Sequence, residues 1–350
     1  MQTQAEYLPK ELWLSIFSYL KAHDLFTAFT NLNRRFDQLL ASDYLTFYVQ
    51  LEKQVNRYIQ CPAIPRWLDG ILNRIVCLQL TSQSEREYVP DYLHRNAHQF
   101  IRLQSLIITI NTHQTKLICQ ILKKLHSLEY LSITCKTMPI LIKTILSIST
   151  LRVFQLTVMD IIYFFDYHFN VKSNIETFYI NFPILFDYQF MNFLLTNMPK
   201  LKRFEIFGDK YRCWKPDELF YGQILNLSAL RTIKFQGGVR NLSSIFYEHL
   251  QMKVPALREL HMDIYYVIID EKMFYNLIYS RWTILENLEK VRINITGIYL
   301  RTIVSKRMNN YRKTLLAKNN KVNDSFKIKW IEHPKDFSAT LVIEKTKMNR

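Results

Sequence analysis

The sequence predicts an α/β protein in which a strand and a helix alternate along most of the chain, after three short helices at its start. Three observations indicate this fold. The pattern apolar-x-x-apolar-x-apolar recurs nine times between residues 75 and 293. Stretches between the copies, such as TKLICQILKKL, place apolar residues three and four apart, as on one face of a helix. In the first 40 residues, apolar residues follow helical spacing in three short segments.

Length and composition favour a folded, globular chain. Its 350 residues are 49% hydrophobic, with only 6 glycines and 10 prolines. A chain of this size buries roughly 75% of its unfolded surface, so its stability needs neither disulfides nor a metal. The five cysteines are irregularly spaced and no signal peptide is recognisable, which predicts a cytoplasmic or nuclear protein with reduced thiols. The most apolar stretch, VMDIIYFFDYHF, contains Asp160 and Asp166, so no membrane-spanning helix is predicted.

The first predicted helix lies in LPKELWLSIFSYL, over about residues 9–20. Pro9 suits the first helical position because its backbone angle is fixed and its missing N–H would have no partner there. Within residues 12–20, only Ser15 and Ser18 suit contact with water. The apolar side chains cover a broad arc made of Leu12, Trp13, Leu14, Ile16, Phe17, Tyr19 and Leu20.

Two more short helices are predicted before residue 45. Asp24 can cap the second helix, and Asn31 or Asn33 can start the third. Such a small unit cannot enclose the whole apolar arc of the first helix, and each large apolar side chain left in water forfeits roughly 1.5–3 kcal/mol. Either the following residues or another protein is therefore expected to cover the excess.

The repeated pattern begins anew every 23 to 31 residues from Ile75 onward. Its last two apolar positions are two residues apart, the spacing of one face of a strand, so each copy predicts one short strand. Repeated strand, turn and helix predict a solenoid with parallel strands on its concave face and helices on its convex face. The copies are IVCLQL (75–80), LQSLII (103–108), LEYLSI (128–133), LRVFQL (151–156), IETFYI (175–180), LKRFEI (201–206), LRTIKF (230–235), LRELHM (257–262) and LEKVRI (288–293).

Strand residues that point away from the core are the predicted functional surface of these repeats. In the first copies they include four threonines in register, which suits a packed β surface. The second half of the array places charged and aromatic side chains there, a composition typical of protein-recognition surfaces. The predicted target-binding residues are Tyr179, Glu205, Phe207, Lys234, His261 and Arg292.

The last 50 residues are strongly basic and leave the repeated pattern. They contain 13 Lys and Arg against 4 Asp and Glu, in a chain of net charge +16. IYLRTIVSKRMNNYRKTLLAK predicts a basic helix, and FKIKWI and SATLVIE predict a hairpin that closes the open edge of the array. This charge is either solvated surface or an attraction for nucleic acid or an acidic partner.

No motif of a known chemistry occurs in the sequence. It contains no G-x-G-x-x-G, P-loop, H-E-x-x-H or G-x-S-x-G motif. His94 and His98 are one helical turn apart, near Asp91, but two histidines and one acid are more often surface residues than a metal site. We therefore expect no catalysis, no cofactor and no metal.

The repeats resemble leucine-rich repeats, whose pattern is L-x-x-L-x-L-x-x-N/C-x-L. The first six positions match over about residues 75–295, whereas the Asn/Cys position carries asparagine only at Asn111. That departure predicts irregular turns between the strands and the helices.

The segment LPKELWLSIFSYLKAHDLFTAFTNLNRRFDQLL resembles an F-box. Phe36 stands where that family usually carries a tryptophan in its third helix. The residues that match are Leu8, Pro9, Glu11, Ile16, Leu20, Asp24 and Leu25.

Together the two resemblances imply the substrate receptor of an SCF ubiquitin ligase, which is not itself an enzyme. In that family the F-box binds a Skp adaptor, which is joined to cullin, and the repeats hold a protein target. A helix that docks in a groove through regularly spaced apolar anchors agrees with this role. The alternative is a leucine-rich-repeat scaffold that binds nucleic acid or an acidic partner through its basic C-terminal end.

The implied organisation is an F-box (7–45), a helical linker that caps the solenoid (46–74), about nine repeats (75–300) and a basic capping segment (301–350). The adaptor contacts that the resemblance implies are Leu8, Pro9, Leu12, Ile16, Phe17, Leu20 and Leu25.

Overall fold

In the computed structural model, the described residues form an α/β protein with ten parallel strands. The structure describes residues 7–51, 66–80, 88–136, 139–159, 171–182, 188–208, 213–214, 227–239, 252–265, 288–296, 326–333 and 338–345. The chain divides into two units, residues 1–155 and 156–350. The helices are α1 (Lys10–Ser18), α2 (Ala22–Phe29), α3 (Arg34–Leu40), α4 (Arg66–Asp69), α5 (Tyr88–Asn96), α6 (Thr115–Leu122), α7 (Pro139–Leu146) and α8 (Tyr188–Thr196).

The strands follow one another in chain order, apart from the last pair and the short β8, which pairs with β9. They are β1 (Phe47–Leu51), β2 (Ile75–Leu80), β3 (Ser105–Thr109), β4 (Tyr130–Cys135), β5 (Val153–Val158), β6 (Thr177–Phe182), β7 (Arg203–Gly208), β8 (Cys213–Trp214), β9 (Thr232–Val239), β10 (Glu259–Tyr265), β11 (Lys290–Thr296), β12 (Phe326–His333) and β13 (Ser338–Lys345).

The three predicted N-terminal helices are present, with two differences in their caps. Pro9 is the N-cap of α1 and not its first residue. The N-cap of α2 is Lys21, so the prediction that Asp24 caps this helix is wrong, and Asp24 lies in its first turn. Asn33 caps α3 as predicted, because its side chain accepts a hydrogen bond from the Phe36 N–H at 3.0 Å. Asn31 adopts a left-handed φ of 60°.

Aromatic rings form the core of these three helices. Trp13 and Phe17, one turn apart on α1, pack against Phe29 of α2 and Phe36 of α3. The Trp13 and Phe36 ring centroids are 4.9 Å apart in an edge-to-face arrangement, which suits the charge distribution of aromatic rings. Phe36 therefore fills the core of the third helix although it is smaller than tryptophan.

A strand that the sequence did not predict follows the three helices. β1 lies within the predicted helical linker and pairs in parallel with β2. Its buried Phe47 and Val49 alternate with half-buried Tyr48 and Gln50. Val49 and Leu51 pair with Leu78 and Leu80, so the first position of the repeated pattern falls on the polar Thr46 and the pattern is incomplete here.

Arg74 links the helices to the strands of the first unit. This buried residue, in a 3-10 turn just before β2, donates hydrogen bonds to the Leu40 and Ser42 carbonyl oxygens, both at 2.8 Å. Its guanidinium carbon lies 5.0 Å from the centre of the Phe47 ring, within the range of a cation–π interaction. Arg74 thereby satisfies the Leu40 carbonyl group at the C-terminal end of α3, which lacks a helical partner, whereas the Ser42 carbonyl oxygen also accepts a hydrogen bond from the Leu45 N–H at 3.1 Å.

All nine copies of the repeated pattern have the predicted position in the fold. The last two apolar residues of each copy lie in a strand, and all three apolar positions are buried in every copy. In the second unit, the rings of Phe178 and Phe204 stack with centroids 5.8 Å apart. The prediction that these residues form the core is confirmed.

The two C-terminal segments form the predicted hairpin. β12 pairs antiparallel with β13, and β13 pairs antiparallel with β11, so the hairpin covers the edge of the last parallel strand. The predicted basic helix over residues 298–318 lies outside the described residues. None of the described helices combines the length and the apolar composition needed to cross a membrane.

We expect Arg74→Met to lower the free energy of unfolding by about 1.5–3 kcal/mol, because it removes two hydrogen bonds from a charged donor and leaves the buried Leu40 carbonyl group without this partner. Arg102→Met is the matched control, since Arg102 is exposed and also donates to a nearby carbonyl oxygen, that of Asp43. Urea denaturation of both variants measures the difference. Equal losses in the two variants would contradict the role of Arg74.

Candidate protein-interaction surfaces

The outer side of α1 carries apolar side chains that the three helices do not cover. Leu12 is 50% exposed, Ile16 41% and Tyr19 87%, whereas Trp13 and Phe17 are buried. Leu12 and Ile16 are one helical turn apart, and Tyr19 follows three residues later, so the three side chains are neighbours along the helix. We call Leu12, Ile16 and Tyr19 the α1 patch.

The implied adaptor contacts divide between this surface and the core. Leu8 and Leu20 are half-buried, and Pro9 is exposed. Phe17 and Leu25 are fully buried, so their side chains stabilise the helical core and are not on the surface that a partner meets. Helical spacing alone could not distinguish the buried side chains from the surface side chains, because it does not determine which part of a broad apolar arc packs inward.

The second unit presents a charged strand face. The central residues of β6, β7, β9, β10 and β11 stand beside one another in register across the five parallel strands. We call this line the middle row, and it consists of Tyr179, Glu205, Lys234, His261 and Arg292. Five of the six predicted target-binding residues therefore lie in the middle row. The sixth, Phe207, lies on the same face, two residues after Glu205 on β7.

Two further rows flank the middle row, because residues two apart on a strand share a face. The upper row follows it by two residues and consists of Asn181, Phe207, Gln236, Asp263 and Asn294. The lower row precedes it by two residues and consists of Thr177, Arg203, Thr232, Glu259 and Lys290. The lower row was not among the predicted target-binding residues, although it occupies the third position of each of these repeat copies.

Glu205 differs from the rest of the middle row because it is buried. Its carboxylate lies 2.5 Å from Nη2 of Arg203 and accepts a hydrogen bond from Nε at 2.6 Å. This hydrogen bond raises the pKa of Arg203, which remains half exposed. The negative charge of Glu205 is thus balanced by Arg203 of the same chain, and its carboxylate is buried. The expectation that this carboxylate contacts a target is therefore corrected.

His261 lies between Lys234 of β9 and Arg292 of β11. Its Nε2 is 3.5 Å from Oε2 of Glu259, two residues earlier on the same strand. Burial lowers the pKa of His261 from its ordinary value of 6.5, and the positive charges of Lys234 and Lys290 lower it further, against the opposing effect of Glu259. The imidazole is therefore neutral at neutral pH.

The remaining predicted target-binding residues are accessible. Tyr179, Phe207 and Lys234 are half-buried, and Arg292 is exposed. In the upper row, Nδ2 of Asn294 donates a hydrogen bond to the Asp263 carboxylate.

The corresponding strand face of the first unit is uncharged over its described strands. The Tyr48 hydroxyl donates a hydrogen bond to the Gln79 side-chain oxygen at 2.8 Å, and Tyr130 does the same to Gln155 at 3.0 Å. These side chains satisfy one another across neighbouring strands. The charged side chains of the described strand faces therefore belong to the second unit.

His94 and His98 do not form a metal centre with the neighbouring described residues. His94 lies in α5 and is half-buried, and His98 lies in the following 3-10 turn and is exposed. Among the described residues, no group of three or more potential metal ligands occurs.

No protein-family model matches this chain, and no curated protein matches it. The resemblances to an F-box and to leucine-rich repeats therefore rest on the residues quoted above.

We expect Arg203→Met to lower the free energy of unfolding by about 1–3 kcal/mol, because it leaves the buried Glu205 carboxylate without its donor. Adding Glu205→Met restores a large part of this loss, since neither charge then remains. Urea denaturation of the two single variants and the double variant measures the coupling. Purely additive losses would show that the two side chains are not coupled.

The lowered pKa of His261 predicts a stability that depends on pH. The folded state binds a proton at His261 less readily than the unfolded state, so the residue contributes stability above its ordinary pKa of 6.5 that is lost as the pH falls through the folded value. We expect the unfolding free energy of the wild type, relative to His261→Gln, to fall between about pH 7.5 and pH 5. Urea denaturation at both pH values tests this, and a constant difference would contradict it.

Proposed function

We propose that this chain is a substrate receptor of an SCF-type ubiquitin ligase. Residues 7–45 act as an F-box that binds a Skp-family adaptor, and the strand–helix units act as leucine-rich repeats that hold a protein target. The observation that carries the proposal is the α1 patch: Leu12 and Ile16 are exposed on a helix whose inner side is occupied by Trp13 and Phe17.

Docking of α1 in an apolar groove is supported by the energetics of its side chains. Full burial of a leucine or isoleucine side chain contributes roughly 1.5–3 kcal/mol relative to leaving it exposed. The aromatic core of the three helices already has its partners, so covering the patch requires no rearrangement of that core. A groove that accepts apolar anchors one helical turn apart is a recurrent mode of helix recognition.

The receptor in this proposal performs no chemistry of its own. The adaptor connects it to cullin, and the strand face holds the target, so target and ubiquitin-loaded partner are kept at high effective concentration. The half-buried aromatic and basic side chains of the second unit supply a surface suited to protein recognition.

The alternative, a scaffold that binds nucleic acid or an acidic partner through the basic C-terminal end, remains a prediction from the sequence. Most of the residues on which it depends lie outside the described part of the chain.

Replacing the patch with charge tests the adaptor interface. We expect Leu12→Asp with Ile16→Asp to abolish co-purification of a Skp-family adaptor, because two carboxylates would have to be buried in an apolar groove. Affinity purification of the co-expressed proteins, with quantitation of retained adaptor, is the measurement.

The matched control is Ser15→Asp with Ser18→Asp, which adds the same charge to exposed positions of the same helix. This control should retain the adaptor, and both double variants should keep the thermal unfolding midpoint of the wild type to within a few degrees. An adaptor that binds the Leu12 and Ile16 double variant as it binds the wild type would refute the proposed interface.

A further inference from the structure

The middle row of the second unit has an excess of exposed positive charge. Glu205, its one carboxylate, is buried and bound to Arg203. Lys234 and Arg292 flank His261 in register on three adjacent strands. Within the described residues, neither Lys234 nor Arg292 takes part in an ion pair.

The two carboxylates that flank this charge already have neighbours on the strand face. Glu259, in the lower row, stands beside Lys290 and lies 3.5 Å from His261. Asp263, in the upper row, accepts a hydrogen bond from Asn294. Both acids are on β10, one on each side of the middle row, so the free cations form a narrow line between them.

The spacing of this line suits an extended chain that crosses the strands. Neighbouring strands are about 4.8 Å apart, so the backbones at Lys234 and Arg292 are about 10 Å apart. Side chains on one side of an extended peptide repeat about every 6.7 Å. Because lysine and arginine side chains are long and flexible, both can reach a pair of carboxylates with that separation.

We propose that the middle row binds an extended acidic segment of the target, with two carboxylates separated by one residue, through Lys234 and Arg292. This inference rests on the proposed role of the strand face as the target-binding surface, and it does not require the adaptor. Carboxylate and phosphate groups on such a segment share the chemistry that the two cations recognise.

A peptide fits this line better than a nucleic acid does. Every nucleotide of a nucleic-acid strand carries a negative charge, whereas a peptide carries charge only at some of its residues. Its phosphates would approach Glu259 and Asp263 on either side of the row, and like charges repel. An extended peptide avoids this repulsion because only alternate side chains face the strands, and its other side chains can be neutral.

The test is fluorescence anisotropy of the full chain with a labelled peptide in which glutamate alternates with threonine. We expect wild-type protein to bind it about tenfold more tightly than the same peptide with glutamine in place of glutamate, which corresponds to two charge pairs of modest strength. Lys234→Gln with Arg292→Gln should remove this preference. A peptide with phosphoserine in place of glutamate shows whether the recognised anion is carboxylate or phosphate.

The matched control is Lys116→Gln with Lys123→Gln, which removes the same charge from exposed positions at α6. This control should keep the wild-type preference. Equal loss in both double variants would overturn the proposal, because it would show that only net charge matters. It would also be overturned by a wild type without preference for the glutamate peptide, or by a single-stranded oligonucleotide that depends on Lys234 and Arg292 while the peptide does not.

These outcomes are separate from those of the adaptor experiment. The Lys234 and Arg292 double variant should retain the Skp-family adaptor, and the Leu12 and Ile16 double variant should retain the acidic peptide. A wild type that retains the adaptor but shows no preference for the glutamate peptide would overturn this inference alone, whereas a wild type that shows this preference but does not retain the adaptor would overturn the adaptor interface alone.

Discussion

The register of the parallel strands is the constraint on which the rest of the second unit depends. Leu260 of β10 stands beside Ile233 of β9 and Val291 of β11, and the residues that follow alternate in step. Apolar positions therefore stack in buried rows and the intervening positions stack in exposed rows. A slip of one residue would exchange the two faces, so the packing of the core fixes the positions of Lys234, His261 and Arg292 relative to one another.

The N-terminal helices are under a different constraint, because they must form a core from few residues. Large aromatic side chains supply the buried area, and Phe26 stacks on Trp67 with ring centroids 4.9 Å apart. Arg74 stabilises the C-terminal end of α3 by donating a hydrogen bond to the Leu40 carbonyl oxygen. Trp13 and Phe17 occupy the inward side of α1, so Leu12, Ile16 and Tyr19 are left exposed.

Periodicity in the sequence predicted the strands of the nine repeats, their core and the middle row, since a period of two residues determines which face each side chain occupies. It could not predict the burial of Glu205, which depends on a hydrogen bond from Arg203 on the same strand. It also could not separate Phe17 from Ile16 within one apolar arc. The difference lies in packing, because neighbouring elements decide which side chain is covered, and periodicity describes one element at a time.

In the proposed complex, the exposed cations contribute selectivity more than affinity. Lys234 and Arg292 lose hydration when any segment covers them, and only a segment with carboxylates or phosphates in reach replaces that hydration. Binding of a neutral segment would therefore desolvate the two cations without replacing their hydration. A basic segment would in addition be repelled by them. The burial of Glu205 strengthens this discrimination, because a free carboxylate beside Lys234 would supply the compensation from within the chain.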